Sequence, residues 1–231
     1  MENIKPNKLP INNNIIHIDY ELIKLIAPKC NNILVQGLID TFNKYSGFFE
    51  INNIYKVCQF LAQSCHESDH YKTTTEYASG KAYEGRKDLG NIVKGDGILF
   101  KGRGFFQTTG RNNYKRVNDE LLKLTFLPES FKNLLMNDGL LKNPKLLEDP
   151  LLATLSAFIY WRDKNLGNYA LPINSTVNYK RYKKVNNKLV SYIDNINAEE
   201  AMCRAINGGL NGFNERKRLY ALLLKEFDKK D

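Results

Sequence analysis

Two apolar stripes at helical spacing, and the long aperiodic stretch that follows the second, restrict what this chain can fold into. Leu34, Val35, Leu38, Ile39 and Phe42 form one stripe; Ile54, Val57, Cys58, Leu61, Ala62 and Cys65 form the other. Recurrence at i, i+3/i+4 and i+7 marks helices that bury a face against each other. The second stripe stops at His66-Glu67, and no period is sustained over 68–101. That interval holds Gly80, Gly85, Gly90, Gly95 and Gly97, so loops and short pieces are expected. Polar, glycine-rich chain is poor core material. The stretch 65–114 therefore predicts the lining of an active site, with carboxylates as its acid and base.

The remaining periodicity predicts helices over 20–26, ended near Pro28, and over 31–45, 53–66 and 112–123. Pro128 and Asn143-Pro144 each start a short one. Asp149-Pro150 has the form of an N-cap with proline at the first helical position, opening a helix over 151–162. Asn197 with Glu200 resembles a capping box before 201–206, which Gly208-Gly209 ends. Leu219, Leu222, Leu223 and Phe227 share one face of a last helix over 214–227. Ile98-Leu99-Phe100 predicts a short strand or hairpin arm. The class is mainly α, with at most a small β-hairpin. Residues 1–17 read as a loose leader and 18–231 as one domain, two lobes around a cleft. Residues 167–196, basic and tyrosine-bearing, read as an excursion from it.

A length of 231 residues suits one sizeable domain or two lobes sharing a cleft. The formal net charge of +9 favours an anionic partner such as nucleic acid, an anionic envelope polymer or a membrane surface, or serves solubility alone. No apolar run reaches bilayer-spanning length, and the N-terminal segment lacks the apolar region of a signal peptide. The expectation is a chain synthesised soluble in the cytoplasm, reaching any target outside by another route. The four cysteines form no CxxC pair; Cys58 and Cys65 read as buried free thiols.

Glu67, at the polar end of an apolar face, is a candidate general acid. Glu76 lies nine residues further on. An unbroken helix would turn about 900° between them and set them on opposite sides. They cooperate only if the helix ends after Glu67 and the chain folds back; Ser68-Asp69 and Thr73-Thr74-Thr75 fit such an ending. By spacing alone, two surface glutamates is the simpler reading. His66-Glu67-Ser68-Asp69-His70 also matches H-E-x-x-H, the zinc peptidase pattern. Its position where the periodicity stops, and the lack of a third histidine ligand other than the distant His17, favour a packing or hydrogen-bonding histidine at His66 and an exposed one at His70. Gly102-x-Gly104 is no nucleotide loop, and its glycines suit a close approach of backbone to a ligand. Gln107, Thr109 and Asn113 carry groups suited to sugar hydroxyls, N-acetyl groups or a water.

Three ordered blocks add to this: HESDHYKTTTEYASGKAYEGRKDLGN, GDGILFKGRGFFQTTGRNNY and AINGGLNGFNERKRLY. Together they resemble the glycoside hydrolase family 19 chitinases and their phage-type endolysin relatives of the lysozyme-like superfamily. The resemblance is dense over 58–114 and 203–220. It implies a bilobal helical fold around one catalytic domain that cuts β-1,4 bonds in N-acetylated amino-sugar polymers, without metal or cofactor. It implies Glu67 as general acid, Glu76 as general base and Thr109 as holder of the attacking water. Gln107, Asn113 and Tyr114 would line sugar subsites, Asn207 would contact an N-acetyl sugar, and Arg216 would pair with Glu76. Inversion at the anomeric carbon is implied as well. The short link from Glu67 to Glu76 implies few subsites. The expected partner is a polysaccharide, peptidoglycan first and chitin second, met by a monomer without nucleic acid or membrane insertion. A zinc peptidase and a non-catalytic glycan-binding module are the competing readings.

Overall fold

The structure, a computed structural model, describes residues 16–229. Residues 1–15, most of the expected leader, lie outside the described residues. In chain order the helices are α1 (Tyr20–Ile26), α2 (Asn32–Tyr45), α3 (Ile54–Glu67), α4 (Asp96–Leu99), α5 (Arg111–Leu122), α6 (Glu129–Leu135), α7 (Gly139–Lys142) and α8 (Pro150–Asp163). The strands β1 (Thr176–Val185) and β2 (Lys188–Asn197) follow, then α9 (Ala198–Asn207) and α10 (Phe213–Phe227). The fold is thus mainly α, and among the described residues the two strands pair only with each other.

The helix starts follow from their caps. The side chains of Asp19, Asn31, Asn53 and Asp149 accept from backbone N–H groups in the first turns of α1, α2, α3 and α8. Asn197 precedes α9 without such a bond, and Glu200 accepts from Arg204 Nε instead, so the expected capping box is not formed.

At the centre lies α3. Its residues 57–65 are all buried, not one face alone. Phe60 meets Phe42, Phe158 and Trp161 with ring centroids 5.6, 5.1 and 5.9 Å away. The polar side of α3 is covered by α10, whose Leu219, Tyr220 and Leu223 are buried. α8 is apolar nearly all round and packs on α2.

Two irregular parts differ from expectation. Ile98 and Leu99 belong to the short helix α4 rather than to a strand. The hairpin sits at 176–197 instead, within the expected excursion, turning through Asn186 and Asn187 with φ of 48° and 61°. Positive φ at both turn residues is what a two-residue hairpin turn requires, and asparagine tolerates it well. Burial alternates only at the base, where Val177, Tyr179, Arg181, Asp194 and Ile196 turn inward; both faces are exposed further out.

Candidate active site

The site begins where α3 ends. Ser68 closes the helix, its Oγ donating to Ser64 O at 2.7 Å and accepting from Tyr71 N at 3.1 Å. Asp69, His70 and Tyr71 then take left-handed φ values of 48°, 57° and 55°. The chain folds back, as cooperation between Glu67 and Glu76 requires. Tyr71 is buried, its hydroxyl donating to Leu61 O at 2.9 Å and pinning the reversal to the helix.

This reversal also decides the H-E-x-x-H motif. The helix stops at Glu67, so His66 and His70 do not share one helical face. Both turn to Glu215 of α10: His66 Nδ1 lies 2.5 Å and His70 Nε2 2.9 Å from its two carboxylate oxygens. Burial pushes the Glu215 carboxyl up, but the bonds and charges of the two histidines outweigh this and hold it below its ordinary value. Among the described residues, no three histidine, cysteine or acidic side chains are grouped to hold a metal ion.

Glu67 remains partly open, its side chain 19% exposed. Its Oε1 accepts from Nη2 of Arg216. Arg216 is buried, and its other donors are used too: Nη1 reaches Gln63 Oε1 at 2.8 Å and Nε reaches Asn211 O at 3.1 Å. Gln63 in turn donates to Gln59 at 3.1 Å. The polar face of α3 is therefore a buried ladder that holds the guanidinium, which holds Glu67. The expected pairing of Arg216 with Glu76 is not made; α10 lies along α3 and brings the guanidinium to the carboxylate on that helix.

Glu76 is held by a different set. Its backbone N–H donates to Gly102 O at 2.9 Å, and its Oε2 accepts from Gly102 N at 3.0 Å. Its Oε1 accepts from the Tyr83 hydroxyl at 2.9 Å. Burial, and then this bond, raise the Tyr83 pKa and keep the phenol a donor. Gly102 is essential to the arrangement. A Cβ there would lie 2.5 Å from Gln107 Oε1, 3.2 Å from Glu76 Oε2 and 3.3 Å from Thr109 Oγ1. The glycine thus makes room for the convergence of the protein's own side chains. Thr109 donates its hydroxyl to Gln107 O at 3.0 Å, which leaves the oxygen's lone pairs to accept from a water.

Gln107, Thr109 and Asn113 line a cavity of about 390 Å³ together with Arg116, Tyr160 and Lys164. Tyr160 ties this cavity to Glu67. Its pKa is pushed up to about 12 by burial and, next, by the negative charge of Glu67. Its hydroxyl donates to Ile206 O at 2.9 Å. Tyr114, expected at a subsite, is fully buried; its hydroxyl donates to Lys101 O at 2.7 Å and accepts from Arg103 at 3.0 Å. It supports the strand of chain behind Glu76 and does not face a ligand. Asn207 is occupied by its own loop, donating to Asn211 O at 3.0 Å and accepting from Gly209 N at 2.8 Å. It shapes the turn whose Asn211 carbonyl receives Arg216. Gln63, Tyr83 and Tyr160 were not singled out by sequence reasoning. Gln63 left a signal, a glutamine within a helix otherwise fit for the core; Tyr83 and Tyr160 left none.

The described chain aligns over 93% of its length, and 94% of the other, with the crystal structure of chitinase C from Streptomyces griseus HUT6037, at a TM-score of 0.55. This is the fold of the family 19 chitinases. A second solved bacterial family 19 chitinase aligns over 90% of this chain and 95% of its own, at a TM-score of 0.53. Sequence identities to the two are 20% and 18%, so the likeness is one of fold. A curated relative from Haemophilus influenzae, a glycosyl hydrolase family 19 domain-containing protein, is 28% identical over 161 residues, 67% of this chain. The chain spans 56% of that relative's length. No family model matches the chain.

Proposed function

We propose that this chain is an inverting, endo-acting family 19 glycoside hydrolase of β-1,4-linked N-acetylated amino-sugar polymers, with peptidoglycan as its preferred substrate. The observation that carries the reading is the unlike holding of the two carboxylates on either side of the chain reversal after α3. Glu67 has one oxygen fixed by Arg216, and its Oε2 accepts no hydrogen bond from the described residues. Glu76 has both oxygens fixed, beside the Thr109 hydroxyl.

In this reading Glu67 donates its proton to the leaving glycosidic oxygen as the bond from that oxygen to the anomeric carbon breaks. A protonated Glu67 still offers its carbonyl oxygen to Arg216 and turns its O–H to the substrate. Water, held by Thr109, forms the new bond to the anomeric carbon from the opposite face. Its proton passes to Glu76. Attack by water on that face inverts the configuration and needs carboxyl groups far enough apart to admit it, about 6.5–9.5 Å in such enzymes. Gln107 and Asn113 supply amides for N-acetyl and hydroxyl groups along the cavity. Peptidoglycan is preferred to chitin because the net charge of +9 suits an anionic wall.

Incubation with purified peptidoglycan and with chitin oligomers, followed by mass analysis of the fragments, tests this. The expected outcome is internal cleavage of peptidoglycan at a higher rate than of chitin. Faster release from chitin would make the chain a chitinase; intact glycan in both with cleaved peptide bonds would overturn the reading.

A further inference from the structure

The hairpin β1–β2 takes no part in the cleft. Its base is seated on the body: Ile196 is buried and Tyr179 meets Tyr169 with centroids 5.7 Å apart; just beyond, Arg181 pairs across the strands with Asp194 at 2.6 Å. Beyond that ion pair the ribbon is bare, and all residues of 182–193 are exposed. Two properties coincide there. Val185, Leu189, Val190 and Ile193 stand 42%, 67%, 42% and 63% exposed, and Tyr182 58%. Among them lie Lys183, Lys184 and Lys188, with Lys180 just before Arg181, none of which forms an ion pair with a described residue. The register sets lysine against aliphatic across the strands: Lys180 with Ile193, Lys183 with Val190, Lys184 with Leu189 and Lys188 with Val185. Lys180 and Lys183 lie over the rings of Tyr182 and Tyr192, at 5.6 and 5.3 Å.

We propose that the distal half of this hairpin is a docking element for an anionic lipid surface. The lysines meet the headgroup charge, and the aliphatic side chains and tyrosine rings enter the headgroup and upper acyl boundary. A hydrated polyanion, whether a wall polymer or a nucleic acid, would satisfy the lysines and leave four aliphatic side chains in water. A second copy of this chain would bring two like-charged ribbons together. Contact with lipid is shallow, because the outer edges of a two-stranded ribbon carry unpaired backbone groups that hydrocarbon cannot satisfy. It needs no membrane span, and no described helix is long and apolar enough to form one. The tight turn at Asn186-Asn187 makes the tip a stiff projection, reaching roughly 14 Å past the Arg181 rung at about 3.4 Å per residue.

Co-sedimentation of the full chain with vesicles tests the proposal. Equimolar phosphatidylglycerol and phosphatidylcholine should bind it at least tenfold more tightly than phosphatidylcholine alone. The Lys183→Glu/Lys184→Glu/Lys188→Glu variant should lose about a hundredfold or more, at roughly fivefold per lysine. The Leu189→Ser/Ile193→Ser variant should keep only binding that moderate salt abolishes. Hydrogen exchange on the unaltered chain should show amides of 182–193 slowed by anionic vesicles, a readout that does not depend on a variant folding. No sedimentation with anionic vesicles, or variants that sediment like the parent, would overturn it. So would binding to a soluble poly(glycerol phosphate) but not to vesicles, or protection of 182–193 by self-association alone.

Discussion

Gly102 shows how much of the site depends on a missing side chain. Glu76, Gln107 and Thr109 all approach the point where its Cβ would stand. Its own backbone supplies one of the two donors to Glu76. The Gly102→Ala variant should therefore lose hydrolysis by about tenfold or more, while its thermal midpoint stays within a few degrees of the parent, since the displaced groups are movable side-chain ends. Initial rates on glycan alongside a thermal melt check this; an unchanged rate would mean that the convergence is not used. The sequence marks Gly102 only as a glycine near another glycine. What it excludes becomes visible once 76 and 107–109 are folded beside it. For Arg216 the residue is legible but its partner is not, because which of two glutamates it reaches depends on how α10 lies on α3.

Among the elements, helices α1, α2, α3 and α8 were legible from their Asp or Asn caps and α2, α3 and α10 from a 3.6-residue period, since both are local properties. Burial all round α3 was not, because Gln59, Gln63 and Ser64 read as a solvent face until Arg216 is placed against them. The interval 68–110 was illegible for a related reason: its bonds join distant residues and leave no period. Glu76 and Gly102 are 26 positions apart, and Asp96 and Arg111 are 15 apart. Asp96 is the anchor of that interval. It is nearly fully buried, accepts from Val93 N at 3.0 Å, and takes Arg111 Nε and Nη2 at 2.8 and 2.5 Å. The Arg111 bonds come first among the causes that hold its carboxyl below the ordinary value of 3.8, against the opposing effect of burial. A carboxylate depressed in the folded state stabilises the fold above its unfolded pKa of about 3.9, and this is lost as pH falls through the lower folded value. Urea unfolding should thus show Asp96→Asn less stable than the parent by a constant margin above about pH 5, with the margin shrinking below pH 4. A margin that persists unchanged at pH 2 would contradict the ion-paired role.

At the scale of the molecule, the candidate site joins distant parts of the chain. Arg216 of α10 lies 149 positions from the Glu67 it holds, and the cavity at Gln107 and Thr109 is lined also by Asn113 and Arg116 of α5 and Tyr160 of α8. The nine-residue spacing of Glu67 and Glu76 set only a condition, that the two cooperate if the chain reverses after Glu67, and by itself favoured two surface glutamates. Asp69, His70 and Tyr71 supply the reversal. The hairpin was foreseeable only as an excursion, since neither of its distal faces is buried. The central claim is that Glu67 gives its proton to the glycosidic oxygen and is not needed to hold the glycan. Its most direct test is the turnover rate of Glu67→Gln on the polymer the parent cleaves, measured together with the affinity for that polymer. The account predicts a rate lower by about a thousandfold, within the usual range for losing a general acid, at an affinity within a few-fold of the parent. A Glu67→Gln enzyme that turns over at the parent's rate would contradict it.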